Sequence, residues 1–526
     1  MSIARSWTEP RRPRRPDTTL DARLTEARRA VADVRPLLAF RTAGLRGRAR
    51  TIAACGLAFI VLLTVLAGWL PAYLPEGEAR RTDVLSLLPS AMIGVLVIAV
   101  ISAAASGGGR ELLSREQGVA FPVSPWTDHL GALLMAPLNI AWLLQSWALL
   151  GATAYVAGPG PGLVLTQLMV LAWLATATSI AQVVAWGVEW MRRSARGLWL
   201  ARGVTAAALG VAGYAVAGDR LVPMLQESPT LKVAIAALGA RVGPTIVYVQ
   251  VLAVLLLTML LAVVAGAWLA GQVSRRAPRD ELRMESSAHT SRPHPASDLV
   301  ALLRIDRAGI WRSVPLRRGM AVLALMPGLV AIAGDLQWDM LTILPGLVAS
   351  GGALLFGVNS WCLDGRGALW RDSLPVDPRL ALVSRVVVLV EVLVVASVGT
   401  VLMASLRAGL PSAAELAAVA SGALVVVLQV VSASLRWSVN RPFAVDMRSA
   451  RATPAPPLVM VGYSARLALS TTMVGVFFSL LSRLSWEWPV VVAVPMLLLS
   501  LWRLSRTARA WAVPETRSRV IATVAS

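Results

Sequence analysis

The stretch "LALVSRVVVLVEVLVVASVGTVLM", residues 380–403, carries only Arg385 and Glu391 as charges. A helix needs about 20 apolar residues to cross a hydrocarbon core of about 30 Å, and this run is long enough. Polar and apolar residues do not alternate along it, as they would in an outer-membrane strand. Similar runs recur through the chain, which has 526 residues, 56% of them hydrophobic and only 15% charged. Its mean hydropathy is +0.66. A soluble domain of this size could not cover its surface with so few charges. The expected class is an all-α polytopic membrane protein.

Working outward from 380–403, about twelve apolar segments can be marked. Six lie at 52–70, 85–105, 130–156, 163–188, 198–217 and 245–269. Six more lie at 319–333, 341–358, 380–403, 416–435, 458–481 and 490–504. The segments 319–333 and 490–504 are short for a span. The charges fit this count. With the N-terminus inside, the outer loops hold Arg80, Arg81, Arg220, Lys232, Arg241, Arg407 and Arg483, a small share of the 50 basic residues. Excess cytoplasmic arginine places both termini on the cytoplasmic side of the cytoplasmic membrane. Trp69, Trp338, Trp486 and Trp488 fall at expected outer ends, where interfacial tryptophans sit.

The net charge of +21 comes almost wholly from arginine, since Lys232 is the only lysine. In a soluble protein that balance would suggest nucleic acid; here it suits a face toward anionic lipid, and no nucleic-acid partner is expected. Cys55 and Cys362 are read as free thiols. His129, His289 and His294 have no metal-ligand spacing, so no metal is expected. The Arg- and Pro-rich start lacks an apolar core and reads as a disordered cytoplasmic tail over 1–34 rather than a signal peptide. A polar, Pro-containing linker over 272–297 separates a first membrane half, 35–271, from a second, 298–505. A cytoplasmic tail, 506–526, follows.

The halves look like copies. "LLAFRTAGLRGR", 37–48, and "LLRIDRAGIWRS", 302–313, align without gaps on Leu-Leu and Ala-Gly. Each mixes apolar positions with arginine, as an amphipathic helix lying in the interface would. Pro-Val-x-Pro then recurs in the cytoplasmic loop after the second span of each half, as "FPVSP" at 121–125 and "LPVDP" at 374–378. Two prolines make a stiff corner there. The expected architecture is two parallel six-helix repeats, each preceded by an interfacial helix.

The segment "FGVNSWCLDGRGALWRDSLPVDPRLALVSR", 356–385, resembles the first cytoplasmic loop of type-2 ABC exporter permeases. The features that match are Asn359, the Asp364-Gly365 turn and Leu374-Pro375. The first half, "SGGGRELLSREQGVAFPVSP", matches less well and has no counterpart of Asn359. The resemblance implies an exporter permease with both halves fused in one chain. It also implies that the loops contact separate ATPase subunits, through Arg115, Glu116, Gln117, Phe121 and Pro122 in the first and Asp364, Arg366, Asp372 and Pro375 in the second. ATP and Mg would then be held by the partner. No cofactor is expected on this chain, because a P-loop needs Gly-x4-Gly-Lys-[Ser/Thr] and Lys232 lies between Leu231 and Val233. No nucleophile–base arrangement or carboxylate pair suggests an enzyme.

A major-facilitator-like secondary transporter also has six plus six spans and a central linker. Its Gly-x3-Asp-x2-Gly-Arg-[Arg/Lys] loop pattern is not found in "SREQGVAFPVSP". A membrane scaffold without transport activity is the third class. Inside the membrane, Glu391 and Arg466 would each cost at least roughly 2.5–3.5 kcal/mol if unpaired, so they are expected to pair or to face a polar path. Asn139, Gln145 and Gln182 are expected to bond between helices. Arg202 and Arg385, near cytoplasmic ends, are expected to snorkel.

Overall fold

The computed structural model describes residues 20–43, 47–73, 77–106, 123–136, 140–218, 220–276, 295–365, 367–444, 455 and 457–525. Every regular element among them is helical. The first part of the chain forms α1 (Leu20–Ala43), α2 (Gly47–Ala67), α3 (Gly77–Ser106), α4 (Pro125–Met135), α5 (Ile140–Ala157), α6 (Gly162–Arg192), α7 (Ala195–Ala217), the short α8 (Leu221–Gln226) and α9 (Thr230–Gly239), and α10 (Ile246–Ser274). The second part forms α11 (Asp298–Arg312), α12 (Val314–Ala333), α13 (Trp338–Leu341), α14 (Leu344–Leu355), α15 (Gly367–Asp372), α16 (Pro378–Ala408), α17 (Ala413–Asn440), α18 (Pro457–Leu481), α19 (Glu487–Ala512) and α20 (Pro514–Ala525).

Among the described residues, the twelve apolar segments fall mostly on helix, with 341–358 divided between α13, α14 and a 3₁₀ turn. Among the described residues, eight helices are long and apolar enough to cross a membrane by themselves. The count reaches nine if α11 and α12, bent by 80° where they join, are taken as one span. The molecule is therefore a multi-pass, all-helical membrane protein. The segment 130–156 is divided between α4 and α5. Helix α1 starts at Leu20, inside the stretch expected to be a disordered tail, and the C-terminal tail is the end of α19 followed by α20.

Packing partners repeat along the chain. In the first part α1 and α10 pack on α4, α2 and α3 pack on α5, and α6 packs on α3, α5, α7 and α10. In the second part α11, α12, α14 and α19 pack on α16, and α17 packs on α14, α16, α18 and α19. If α4 and α5 together correspond to α16, these two sets are the same set. The two parts touch where α12 packs on α3.

Helix starts also match. Ser124 Oγ accepts the Thr127 backbone N–H at 3.1 Å, with Pro125 as the first residue of α4. Asp377 Oδ1 accepts the Arg379 N–H at 2.9 Å, with Pro378 first in α16. Pro-Val-x-Pro is thus a helix-start box: x caps the free amides, and the second proline occupies the position where its missing N–H costs nothing.

The loops at one end of the second part are tied together. Arg407 pairs with Asp335 at 3.3 Å, Arg483 with Asp339 at 3.6 Å, and Trp338 Nε1 donates to the Gly409 carbonyl at 2.9 Å. In the first part Arg81 Nε donates to the Val156 carbonyl at the C-terminus of α5, at 2.8 Å. A guanidinium there complements the helix dipole.

Interhelical hydrogen bonds come from Trp, Thr, Tyr, Ser and Gln side chains, among them Gln167, which donates to the Leu150 carbonyl at 3.1 Å. Trp173 donates to the Met92 carbonyl at 3.1 Å, Thr176 to Leu255 at 3.1 Å, and Trp142 to Thr178 Oγ1 at 2.8 Å. Gln182 is buried with its Oε1 unpartnered, so it does not supply that acceptor. Asn139 lies outside the described residues.

Candidate functional site

The segment 356–385 is held from both sides. Gly357 opens a 3₁₀ turn, Gly357–Asn359, pressed against α17. A Cβ on Gly357 would collide with Ser434, so only glycine permits this approach. Asn359, fully buried, donates from Nδ2 to the Phe443 carbonyl at 2.7 Å, and the Ser360 N–H donates to Ser438 Oγ at 2.8 Å. Next comes Trp361, stacked on Trp511 with ring centroids 4.1 Å apart and planes within 5°. The Arg385 guanidinium lies over the Trp361 ring, 5.2 Å from its centroid. Trp511 Nε1 in turn donates to the Pro378 carbonyl at 3.1 Å. Gly365 then turns the chain at φ +48°, a left-handed conformation that suits glycine.

At the centre lies a buried ionic network drawn from three places in the chain. Arg371 of α15 grips Asp306 of α11 with both Nη atoms, at 2.6 and 3.1 Å. Arg385 of α16 reaches Asp306 at 3.1 Å and Asp364 at 2.6 Å. Arg371 also meets Asp364 at 3.2 Å, and Ser384 Oγ donates to Asp306 at 2.6 Å. The side chains of Asp306 and Arg385 are each 1% exposed.

Burial pushes the Asp306 carboxyl up, but the Arg385 charge, the Arg371 guanidinium and the Ser384 hydroxyl outweigh it and hold the group below the usual carboxylate range. Burial pushes the neighbouring Cys362 thiol up to about 12, which makes it unreactive as a nucleophile. Two carboxylates and two guanidiniums cancel in charge. A buried set of this kind adds little net stability but penalises every arrangement that separates its members. It fixes the loop to α11 and α16 in one geometry.

From this anchored base α15 faces outward. Ala368 is buried, while Leu369 and Trp370 are 58% and 62% exposed. Beside them Asp372 pairs with Arg517 of α20 at 2.8 Å. A cleft between the loop and α20 is lined by Trp511, Ile521 and Val524 on one side and by Leu374 and Val376 on the other.

The expected contact residues are thereby sorted. Asp364 points into the network rather than outward, Asp372 is engaged with α20, and Pro375 is exposed. Arg366, and Arg115, Glu116, Gln117, Phe121 and Pro122 of the first loop, lie outside the described residues. Arg385 does not snorkel; it is the most buried charged group of the network. Glu391 pairs with Arg307 of α11 at 2.9 Å, whereas Arg466 is exposed on α18 and makes no ion pair with it. Sequence reasoning passed over Leu369, Trp370 and the Trp361–Trp511 stack. The available signal was two tryptophans in an otherwise polar loop.

Among the described residues no group of three or more His, Cys, Asp or Glu side chains is placed to hold a metal ion. Comparison with known proteins finds no matching family model, no matching curated sequence and no matching solved structure.

Proposed function

We propose that this chain is the permease of an ATP-binding-cassette exporter in the cytoplasmic membrane, with two six-span halves fused and ATP and Mg held by separate subunits. The reading takes α1 and α11 as interfacial helices, α4 with α5 as one broken span, and α16 as its equivalent. Twelve spans, parallel duplication and cytoplasmic termini belong to the proposal; the matched packing partners and the matched helix starts support them.

One observation carries the reading. The loop at 356–378 is locked by a buried ionic network while it presents an aliphatic–aromatic pair, Leu369 and Trp370, to the outside. Exposed Trp on a rigid support is the chemistry of a binding hot spot. A flexible loop would absorb a push from a partner. This one is joined through Asp306 to α11 and through Arg385 to α16, so displacement of α15 moves the start of a membrane helix. That is what coupling of ATP hydrolysis to rearrangement of the halves requires.

Helix α16 has 31 residues and, at 1.5 Å per residue, is about 46 Å long, more than the hydrocarbon core needs. With α11 taken as interfacial, its packing beside Ser384 and Glu391 favours a place for Glu391 near the interface. The Glu391–Arg307 pair ties the interfacial helix to the span in this reading and does not line a path.

The test is purification of the tagged protein from its native membranes in mild detergent. A nucleotide-hydrolysing subunit is expected to accompany the wild type, to be retained by Trp370→Phe and to be lost from Trp370→Asp. Transport that follows a proton gradient and ignores ATP would refute the proposal in favour of a secondary transporter.

A further inference from the structure

A roomy apolar pocket lies away from this loop, in the first half. It has a volume of about 760 Å³ and sits between α1, α4, α5, α6 and α10. That is within the range of about 300–1,000 Å³ typical of small-molecule sites. Its walls are mostly Leu, Val and Met, including Leu130, Leu134, Leu171 and Met259.

The polar atoms that reach it are already satisfied. Thr178 Oγ1 donates to the Leu174 carbonyl at 2.7 Å and accepts from Trp142 Nε1 at 2.8 Å; Ser179 Oγ donates to the Ala175 carbonyl at 2.9 Å. Water would find few hydrogen-bond partners there. An empty pocket would forfeit the dispersion contacts of its whole lining. In a bilayer, the available filler is hydrocarbon.

The lining has one charged residue, Arg35 of α1. It is exposed, while Ala30 and Val34 of the same helix are buried. Arg28 and Arg29 are exposed on the same helix, interleaved with Glu26 and the exposed Asp33, so that three basic and two acidic residues leave 26–35 net positive. A cationic helix at the edge of a hydrocarbon-filled cavity complements a molecule with an anionic head and an apolar tail.

From this geometry we infer that the cavity is a binding site for an anionic phospholipid, with an acyl chain between α4, α6 and α10 and the phosphate at Arg35. The inference rests on the chain lying in a bilayer and on the reading of α1 as an interfacial helix, and is independent of what is transported.

Native mass spectrometry of the delipidated full-length protein, titrated separately with phosphatidylglycerol, phosphatidylcholine and oleate, tests it. The wild type is expected to take up one tightly held phosphatidylglycerol in preference to the other two. Ala175→Trp, which fills the cavity from α6, is expected to reduce that occupancy at least tenfold. Val263→Trp, from the α10 wall, does the same and serves where Ala175→Trp fails to fold. Arg35→Gln is expected to cut the preference for phosphatidylglycerol over phosphatidylcholine about fivefold. Undiminished binding to a folded cavity-filled variant, equal binding of the two phospholipids, or preferential uptake of oleate would each overturn the assignment.

Discussion

The two halves share a scheme of helix partners but differ at their ends. In the second, α18 packs into α14 as well as α17; Gly346 of α14 lies against Thr471 of α18, and Gly475 against Ile343. The corresponding helix of the first half, α7, packs chiefly on α6, and most of its surface is exposed. The first half inserts α8 and α9 before its last long helix, with Thr230 Oγ1 donating to the Pro89 carbonyl and Thr166 Oγ1 to the Ala237 carbonyl, both at 2.8 Å. The second half makes the same connection with residues 482–486 alone. At the opposite end the second half builds the ionic network. The first half caps its helix ends with arginine, Arg193 donating to the Val273 and Arg276 carbonyls, both at 2.7 Å. Among the described residues, then, the two parts have matching helix partners in their interiors and different contacts at their ends.

Breaking the network tests that division most strongly. Asp306→Ala leaves Arg371 and Arg385 buried with Asp364 as their one remaining shared carboxylate, and removal of one partner from a buried ionic set costs about 3–5 kcal/mol. Thermal unfolding in detergent is expected to show the second half melting first.

A smaller loss, about 1–3 kcal/mol, is expected from overpacking at glycine contacts in either half. In Gly357→Val the new side chain meets Ser434; in Gly266→Val it meets the ring of His129, which accepts the Trp186 Nε1–H at 3.0 Å. Similar melting shifts for the two variants would sharpen the view that both interiors obey the same packing logic. A large shift from one alone would break it.

Acid acts on the network with a definite sign. The Asp306 carboxyl lies below its unfolded value of about 3.9, so its contribution is fully present above that pH. The contribution fades as pH falls through the lower folded value. Cys362 reports loss of the Asp306 charge by substitution. In a Cys55→Ser background it is expected to resist maleimide at pH 8 in the wild type and to react in Asp306→Ala. The smallest effect on stability belongs to Trp370→Asp, within about 0.5 kcal/mol, because that side chain is exposed.

Much of the scaffold was legible in the sequence because burial in lipid demands long apolar runs, and those runs fall on helices. The likeness of "FPVSP" and "LPVDP" was read as a pair of stiff corners, whereas Ser124 and Asp377 are helix caps. Capping by Ser or Asp immediately before proline is a local rule, so that role could have been read. The network could not. Asp306, Asp364, Arg371 and Arg385 are brought together only by the packing of α11 on α16, and no spacing along the chain pairs them. Glu391 shows the same limit: its partner was sought within the membrane at Arg466, yet α11 delivers Arg307 from 84 residues away.

The central claim is that α15 is where a nucleotide-hydrolysing partner binds. A photo-crosslinking amino acid at position 370, activated in native membranes, tests it most directly. The account expects one dominant adduct whose partner contains a P-loop, reduced when Leu369 is changed to Asp in the same chain. Adducts to lipid alone, or to a protein without a nucleotide site, would contradict it.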